Sequence, residues 1–290
     1  MKADLSDPAT CGEDLPDILR WLLDHADEAC DGCAYYHVGF LAQRFTPGGV
    51  AVEKERPQFI DALKGGVRAA RRDGERMRIA VAGAGDTGVC ASVAHAASEL
   101  LGRGGFHIDV WDRCETPVRA CARFGAAHGL SIGGAAVDFE TPLAAGQGGY
   151  DIIVMHSVLR HLSPEARAPF MARLCARLRS GGLILNSQTL VDQAELSEWM
   201  GNRKGYGAAA LDVIMADGRF GGRDRSRLAA LMRELSEDQP KTRDVATLGE
   251  VIDWMRAPGL SVADAREILV ISEKPKRHVR RRAMVTMRRA

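Results

Sequence analysis

Residues 77–88 read MRIAVAGAGDTG. Met77–Ala82 is a short apolar run of strand character, and it passes directly into Gly83, Gly85 and Gly88. Glycines at the end of a strand let a ligand approach the backbone where a Cβ would collide. The pattern Val89–Leu101 then predicts a helix, whose first N–H groups face back toward the loop. The spacing matches G-x-G-x-x-G, which suits a nucleotide-type ligand when a strand precedes it and a helix follows, as here. The same spacing also occurs in dinucleotide sites and in plain tight turns.

Working outward, Phe106–Trp111 alternates like a strand and stops at Asp112. Thr116–His128 is helical, Ala135–Phe139 is a third strand, and Tyr150–Met155 is a fourth, apolar on both faces. Pro164–Leu178 is a helix, Gly181-Gly182 a turn, and Leu183–Ser187 a fifth strand. Strands alternating with helices predict a doubly wound, mostly parallel sheet. Asp112 can accept hydrogen bonds from the two hydroxyls of a ribose, with Asp109 as its in-strand competitor; the alternative is a turn or N-cap residue. Asp138 can meet an adenine amino group while Phe139 packs on the ring; the alternative there is a strand-ending turn.

The decisive string is YDIIVMHSVLRHLSPEAR, residues 150–167, followed by FMARLCARLRSGGLILN, residues 170–186. It closely resembles the fourth and fifth motif regions of class I S-adenosylmethionine-dependent methyltransferases, and the likeness covers roughly residues 77–188. A weaker echo spans 248–275, where that family places a last helix and an antiparallel strand pair. The resemblance implies a Rossmann-like sheet with one antiparallel edge strand and S-adenosylmethionine as cofactor. The implied cofactor set is Gly83, Ala84, Gly85, Thr87, Asp112, Arg113, Asp138, Phe139 and His156. His156 and His161 are the titratable groups nearest the expected methyl group and the candidates for a general base; packing is the alternative for His161. Many family members carry an acid two residues before the first glycine, where this chain has Val81. That contact is then left to backbone carbonyls, Asp86 or a residue of the N-terminal part.

Residues 1–75 read as a helical cap, with Leu15, Ile18, Leu19, Leu22 and Leu23 at helical spacing and a further helix over Pro57–Arg72. Tyr35, Tyr36, His37 and Phe40 form an aromatic patch that either covers a ligand or packs the cap on the main domain. The methyltransferase domain is expected over 76–275, interrupted by a polar, glycine-bearing helical lid at 190–245. The basic stretch 276–290 is expected to be a disordered tail.

Lys plus Arg number 39 against 38 Asp plus Glu, which gives no sign of a dedicated nucleic-acid binder. No apolar run approaches the roughly 20 residues that cross a bilayer, and no signal pattern opens the chain, so a cytoplasmic protein is expected. The seven cysteines are odd in number and irregular in spacing, as in a reducing compartment. Cys30 and Cys33 form a C-x-x-C pair with His37 shortly after. With no second pair at zinc-ligand spacing, we expect two small residues at a helix end and its loop, and no metal. The function expected is methyl transfer to an oxygen or nitrogen of a small molecule. The alternatives are transfer to nucleic acid or protein, carried by the basic tail, and a non-methylating nucleotide-binding protein. A homodimer stays open.

Overall fold

The computed structural model describes residues 4–45, 51–139, 149–190, 208–237, 247–272 and 278–290. Three helices come first: α1 (Leu15–Ala29), α2 (Ala34–Gln43) and α3 (Ala51–Ala70). Then follow β1 (Met77–Ala82), α4 (Gly88–Leu101), β2 (Phe106–Asp112), α5 (Glu115–His128), β3 (Ile132–Ala136) and β4 (Tyr150–His156). A single 3-10 turn, Leu159–His161, leads to α6 (Pro164–Arg177) and β5 (Leu178–Leu190). The chain closes with α7 (208–215), α8 (Gly222–Glu237), α9 (Leu248–Trp254), β6 (Leu260–Ser272) and β7 (His278–Arg289).

The seven strands form one sheet in the order β3-β2-β1-β4-β5-β7-β6. The first five are parallel, as Leu/Ile/Val runs buried on both faces predict. Strand β7 runs antiparallel to both neighbours. The antiparallel strand therefore exists as expected but is not at the edge: it lies second from it, and β6 is outermost. One core layer packs α3, α4 and α5 on the sheet through Phe59, Leu63, Val93, Val118 and Phe124. The other packs α6 and α9 on the opposite face through Phe170, Leu174, Val251 and Met255. A Cβ on Gly66 would lie 2.7 Å from Leu185, so that glycine lets α3 press closely on β5.

Several sequence boundaries shift. β3 begins three residues earlier than expected. Gly133 and Gly134 look like a turn, yet they sit in the strand. Gly134 has φ +156, and a Cβ there would lie 2.0 Å from the Val110 carbonyl oxygen, so only glycine fits. The Gly181-Gly182 turn is absorbed into β5 where its register shifts against β4. The two short strands expected near the end are one strand, β6, irregular between Val262 and Asp264. The largest correction concerns the expected disordered tail. Residues 278–289 form β7, with Ala283, Met284, Val285 and Met287 buried among the arginines. High basic content hid an apolar centre that an inner strand requires.

The cap forms its own small core. Leu19, Leu22 and Leu23 of α1 and Val38 and Leu41 of α2 pack with Ala210, Ile214, Leu228 and Met232 of α7 and α8. Gly39 admits α8, since a Cβ there would lie 3.0 Å from Leu235. The described part of the expected lid is thus helical and braces the cap. Leu190 ends β5 instead of opening a helix. Ala194, Leu196, Trp199 and Tyr206 lie outside the described residues.

Candidate functional site

The sheet order reverses between β1 and β4, and the loops at the carboxyl ends of those strands meet there, where ligands bind in such sheets. Gly83 has φ +79 and donates its N–H to the Trp111 carbonyl at 2.7 Å. A Cβ on Gly83 would lie 2.3 Å from Val158, so glycine is required for the β1 loop to pass the turn after β4. Gly85, φ +64, faces Tyr36 of α2. Asp112 lies beside this loop, buried. Its Oδ2 accepts from the N–H groups of Ala84 (2.9 Å) and Gly85 (3.3 Å), and its Oδ1 from that of Cys114 (3.0 Å). Asp112 is therefore tied to the glycine loop and is not the N-cap of α5, which is Cys114. Asp109 is engaged elsewhere, by Tyr150, His107 and Arg78.

Beneath the loop lies a buried charged network that the sequence did not announce. Glu13 pairs with Arg44 and Arg56 and accepts the Thr87 hydroxyl at 2.7 Å, and Arg44 also reaches Asp86 at 3.3 Å. Burial alone would raise the Glu13 carboxyl, but Arg44, Arg56 and Thr87 together hold it down at about 2. Thr87 is fully buried and donates its hydroxyl to Glu13, which anchors the loop.

At the end of β4, His156 Nε2 lies against the Glu55 carboxylate of α3 and 3.0 Å from Arg282 Nη2 of β7. Arg282 also reaches Glu55 at 2.6 Å, the Ser187 and Thr189 hydroxyls, and the Ser157 hydroxyl at 3.1 Å. An acceptor and a donor thus meet the same ring nitrogen, and the tautomer decides which of the two bonds it makes. Ser157 has φ +59, a strained value for serine, of the kind that collects at functional sites. On the adjoining strand, the side-chain amides of Asn186 and Gln188 are buried without a hydrogen-bond partner among the described residues.

The remaining expected residues are placed as follows. His161 is exposed and meets the Tyr36 ring edge-on at 6.4 Å, while Tyr36 stacks on Phe40 at 5.9 Å. The aromatic patch thus stands between the cap and the β4 turn. Arg113 and Asp138 are exposed just past β2 and β3. Phe139 is buried with its ring 5.1 Å from that of Phe170, so it packs the core layer. A cavity of about 300 Å³ opens elsewhere, between α1 and α5, and includes none of the expected site residues.

Comparison with known proteins fits this geometry. No family model matches the chain. A ubiquinone biosynthesis O-methyltransferase of Caulobacter vibrioides is 31% identical over 93 residues, 32% of this chain and 36% of that protein. The match thus spans about a third of the curated relative. Among solved structures, one from work on the conversion of a disulfide bond into a thioacetal group during echinomycin biosynthesis superposes with TM-score 0.52 at 14% identity, over 80% of this chain and 81% of that one. The N-methyltransferase NodS from Bradyrhizobium japonicum, in complex with S-adenosylhomocysteine, gives TM-score 0.45 at 13% identity, over 82% and 87%. The fold is Rossmann-like.

The glycine loop, Asp112 and His156 stand at the ends of β1, β2 and β4, the positions the sequence predicts for them. Glu13, Glu55, Arg44 and Arg282 were missed. Their partners lie tens to more than 200 positions away in the chain, so no local spacing marks them. The one available signal for Arg282 was the apolar run AMV at 283–285 directly beside it.

Proposed function

We propose that this chain is an S-adenosylmethionine-dependent methyltransferase acting on an oxygen or nitrogen of a small molecule. The observation that carries the reading is Asp112 at the end of β2, a buried carboxylate held against the amides of a glycine loop at the switch point of the sheet. The residues fit the cofactor. Gly83 and Gly85 turn at positive φ, Gly85 with only Tyr36 within 4 Å of a Cβ position, and Asp112, with three amides on its two oxygens, keeps about one acceptor site for a ribose hydroxyl. When bound, S-adenosylmethionine supplies a methyl group on a sulfonium already activated for transfer. With Val81 in place of an acid, Asp86 and Glu13 are the nearest carboxylates behind the loop, but both are engaged by Arg44.

The chain's own part is to position and to exclude water. Tyr36 of the cap and His161 of the turn after β4 meet edge-on beside the glycine loop. His156, oriented by Glu55, is the group able to hold a proton from an acceptor hydroxyl or amine. The orphaned amides of Asn186 and Gln188 offer hydrogen bonds to a polar acceptor. The described part of the 190–245 insert acts by bracing α2, which carries Tyr36 and His37 over the loop.

The alternative of nucleic acid as substrate rested on a free basic tail. Arg282 is buried, and Arg288 and Arg289 donate to the carbonyls of Gly181 and Cys175. Of these, the Arg282 charge is used inside the fold, while Arg288 stays exposed. Thermal shift with S-adenosylmethionine, S-adenosylhomocysteine, NAD and NADP tests the reading. A ligand at 100 times its dissociation constant stabilises by roughly 2.7 kcal/mol. The two adenosyl ligands should raise Tm and the nicotinamides should not; the reverse pattern overturns the reading.

A further inference from the structure

We propose that Cys30, Cys33, His37 and Cys114 form a structural zinc site that fastens the helical cap to the cofactor edge of the sheet. The four ligand atoms lie within 4.8 Å of one another. The Cys30 and Cys114 sulfurs are 3.4 Å apart, and Cys33 Sγ is 3.6 Å from His37 Nε2. Tetrahedral zinc, with Zn–S near 2.3 Å and Zn–N near 2.0 Å, needs ligand-to-ligand distances of about 3.5–3.8 Å. The arrangement is therefore within a few tenths of an ångström of a Cys₃His site for the pairs with a measured contact.

Three helix ends converge to make it. Cys30 caps the end of α1, Cys33 the start of α2, and Cys114 the start of α5. Neither Cys33 nor Cys114 makes a side-chain cap hydrogen bond. Three thiolates around a dication leave one negative charge, which two helix N-termini favour. The second layer is in place as well. His37 Nδ1 lies 2.7 Å from the Gly85 carbonyl, so it donates there and leaves Nε2 unprotonated toward the sulfurs. The Thr116 hydroxyl lies 2.8 Å from Cys30 Sγ. Each thiol gives up its proton to solvent as its metal–sulfur bond forms. A disulfide is the competing fate, and it needs the Cys30 and Cys114 sulfurs to close from 3.4 Å to about 2.05 Å.

The sequence shows three of the four ligands. Cys30, Cys33 and His37 are local, but the fourth ligand lies 84 positions beyond Cys30, so a search for a second nearby pair fails. The site also reaches the ligand loop. His37 holds Gly85, and Cys114 lies two residues after Asp112 with its N–H on that carboxylate.

The test uses the full chain, purified under reducing conditions, stripped with chelator and titrated with cobalt and then zinc. We expect one cobalt per chain, with intense tetrahedral d–d bands and a near-ultraviolet thiolate charge-transfer band, both abolished by one equivalent of zinc. Cys114→Ser and, in case that variant fails to fold, His37→Gln should each weaken cobalt binding more than about tenfold. Cys175→Ser, outside the cluster, should bind as the parent does. Weak octahedral spectra in the parent chain, binding unchanged in His37→Gln, or a Cys30–Cys114 disulfide that binds no metal after reduction would overturn the proposal.

Discussion

At the residue scale, the ligand loop rests on Glu13. Its carboxyl drops from 4.5 to about 2 on folding because Arg44, Arg56 and Thr87 outweigh the cost of burial. A folded pKa below the unfolded one adds stability that is present above the unfolded value and lost as pH falls. Urea unfolding should therefore weaken as pH falls from about 4.5 toward 2, by roughly 3 kcal/mol from this group. Glu13→Gln should flatten that pH dependence and cost about 3–5 kcal/mol near neutrality, because the buried Arg56 loses its carboxylate and Arg44 keeps only Asp86. An unchanged acid limb in the variant would remove Glu13 from this role. Neither effect was legible in the sequence. Glu13 sits in an acidic stretch that looks like solvated surface, and only the folded chain brings Arg44 and Arg56 to it. Asp112 was legible because its partners, the amides after β1, are marked by glycines whose spacing is local.

At the scale of elements, the strands and helices from β1 to α6 followed from periodicity because they bury apolar faces, except β3, whose Ile-Gly-Gly-Ala-Ala run stays half-buried to exposed. β7 did not, since composition drowned its pattern: arginines occupy 280–282 and 288–289 on either side of the apolar centre. Its pairing with β5 from Leu183 to Leu190 makes it integral. Truncation after residue 273 should abolish cooperative thermal unfolding, whereas a dispensable tail would leave Tm unchanged. The strand is also locked to the other layer by one ion pair, Glu55 of α3 to Arg282 of β7 at 2.6 Å. Glu55→Gln and Arg282→Met should each destabilise by about 3–5 kcal/mol. The double variant should lose much less than the sum, because neither charge is then left unpaired. Additive losses would show that the two residues act independently.

At the scale of the whole molecule, the cap is what the sequence left least defined. It predicted helices at the N-terminus and in the insert. It could not show that α1, α2, α7 and α8 share one core, because those contacts join residues about 200 positions apart. The cap brings Tyr36 and His37 over the glycine loop, and β7 brings Arg282 to the end of β4. The proposed ligand site thus lies where three parts of the chain, distant in sequence, meet the carboxyl ends of β1 and β4. No helix among the described residues is long and apolar enough to cross a membrane.

The central claim is that this site binds S-adenosylmethionine through Asp112. Isothermal titration calorimetry with S-adenosylhomocysteine, on the parent chain and on Asp112→Asn, tests it most directly. The account predicts saturable one-site binding by the parent and a loss of about tenfold to a hundredfold in the variant, as charge-assisted bonds worth roughly 1.5–3 kcal/mol disappear. Circular dichroism should show the fold retained. No binding by the parent chain, or equal affinity in the variant, would contradict it.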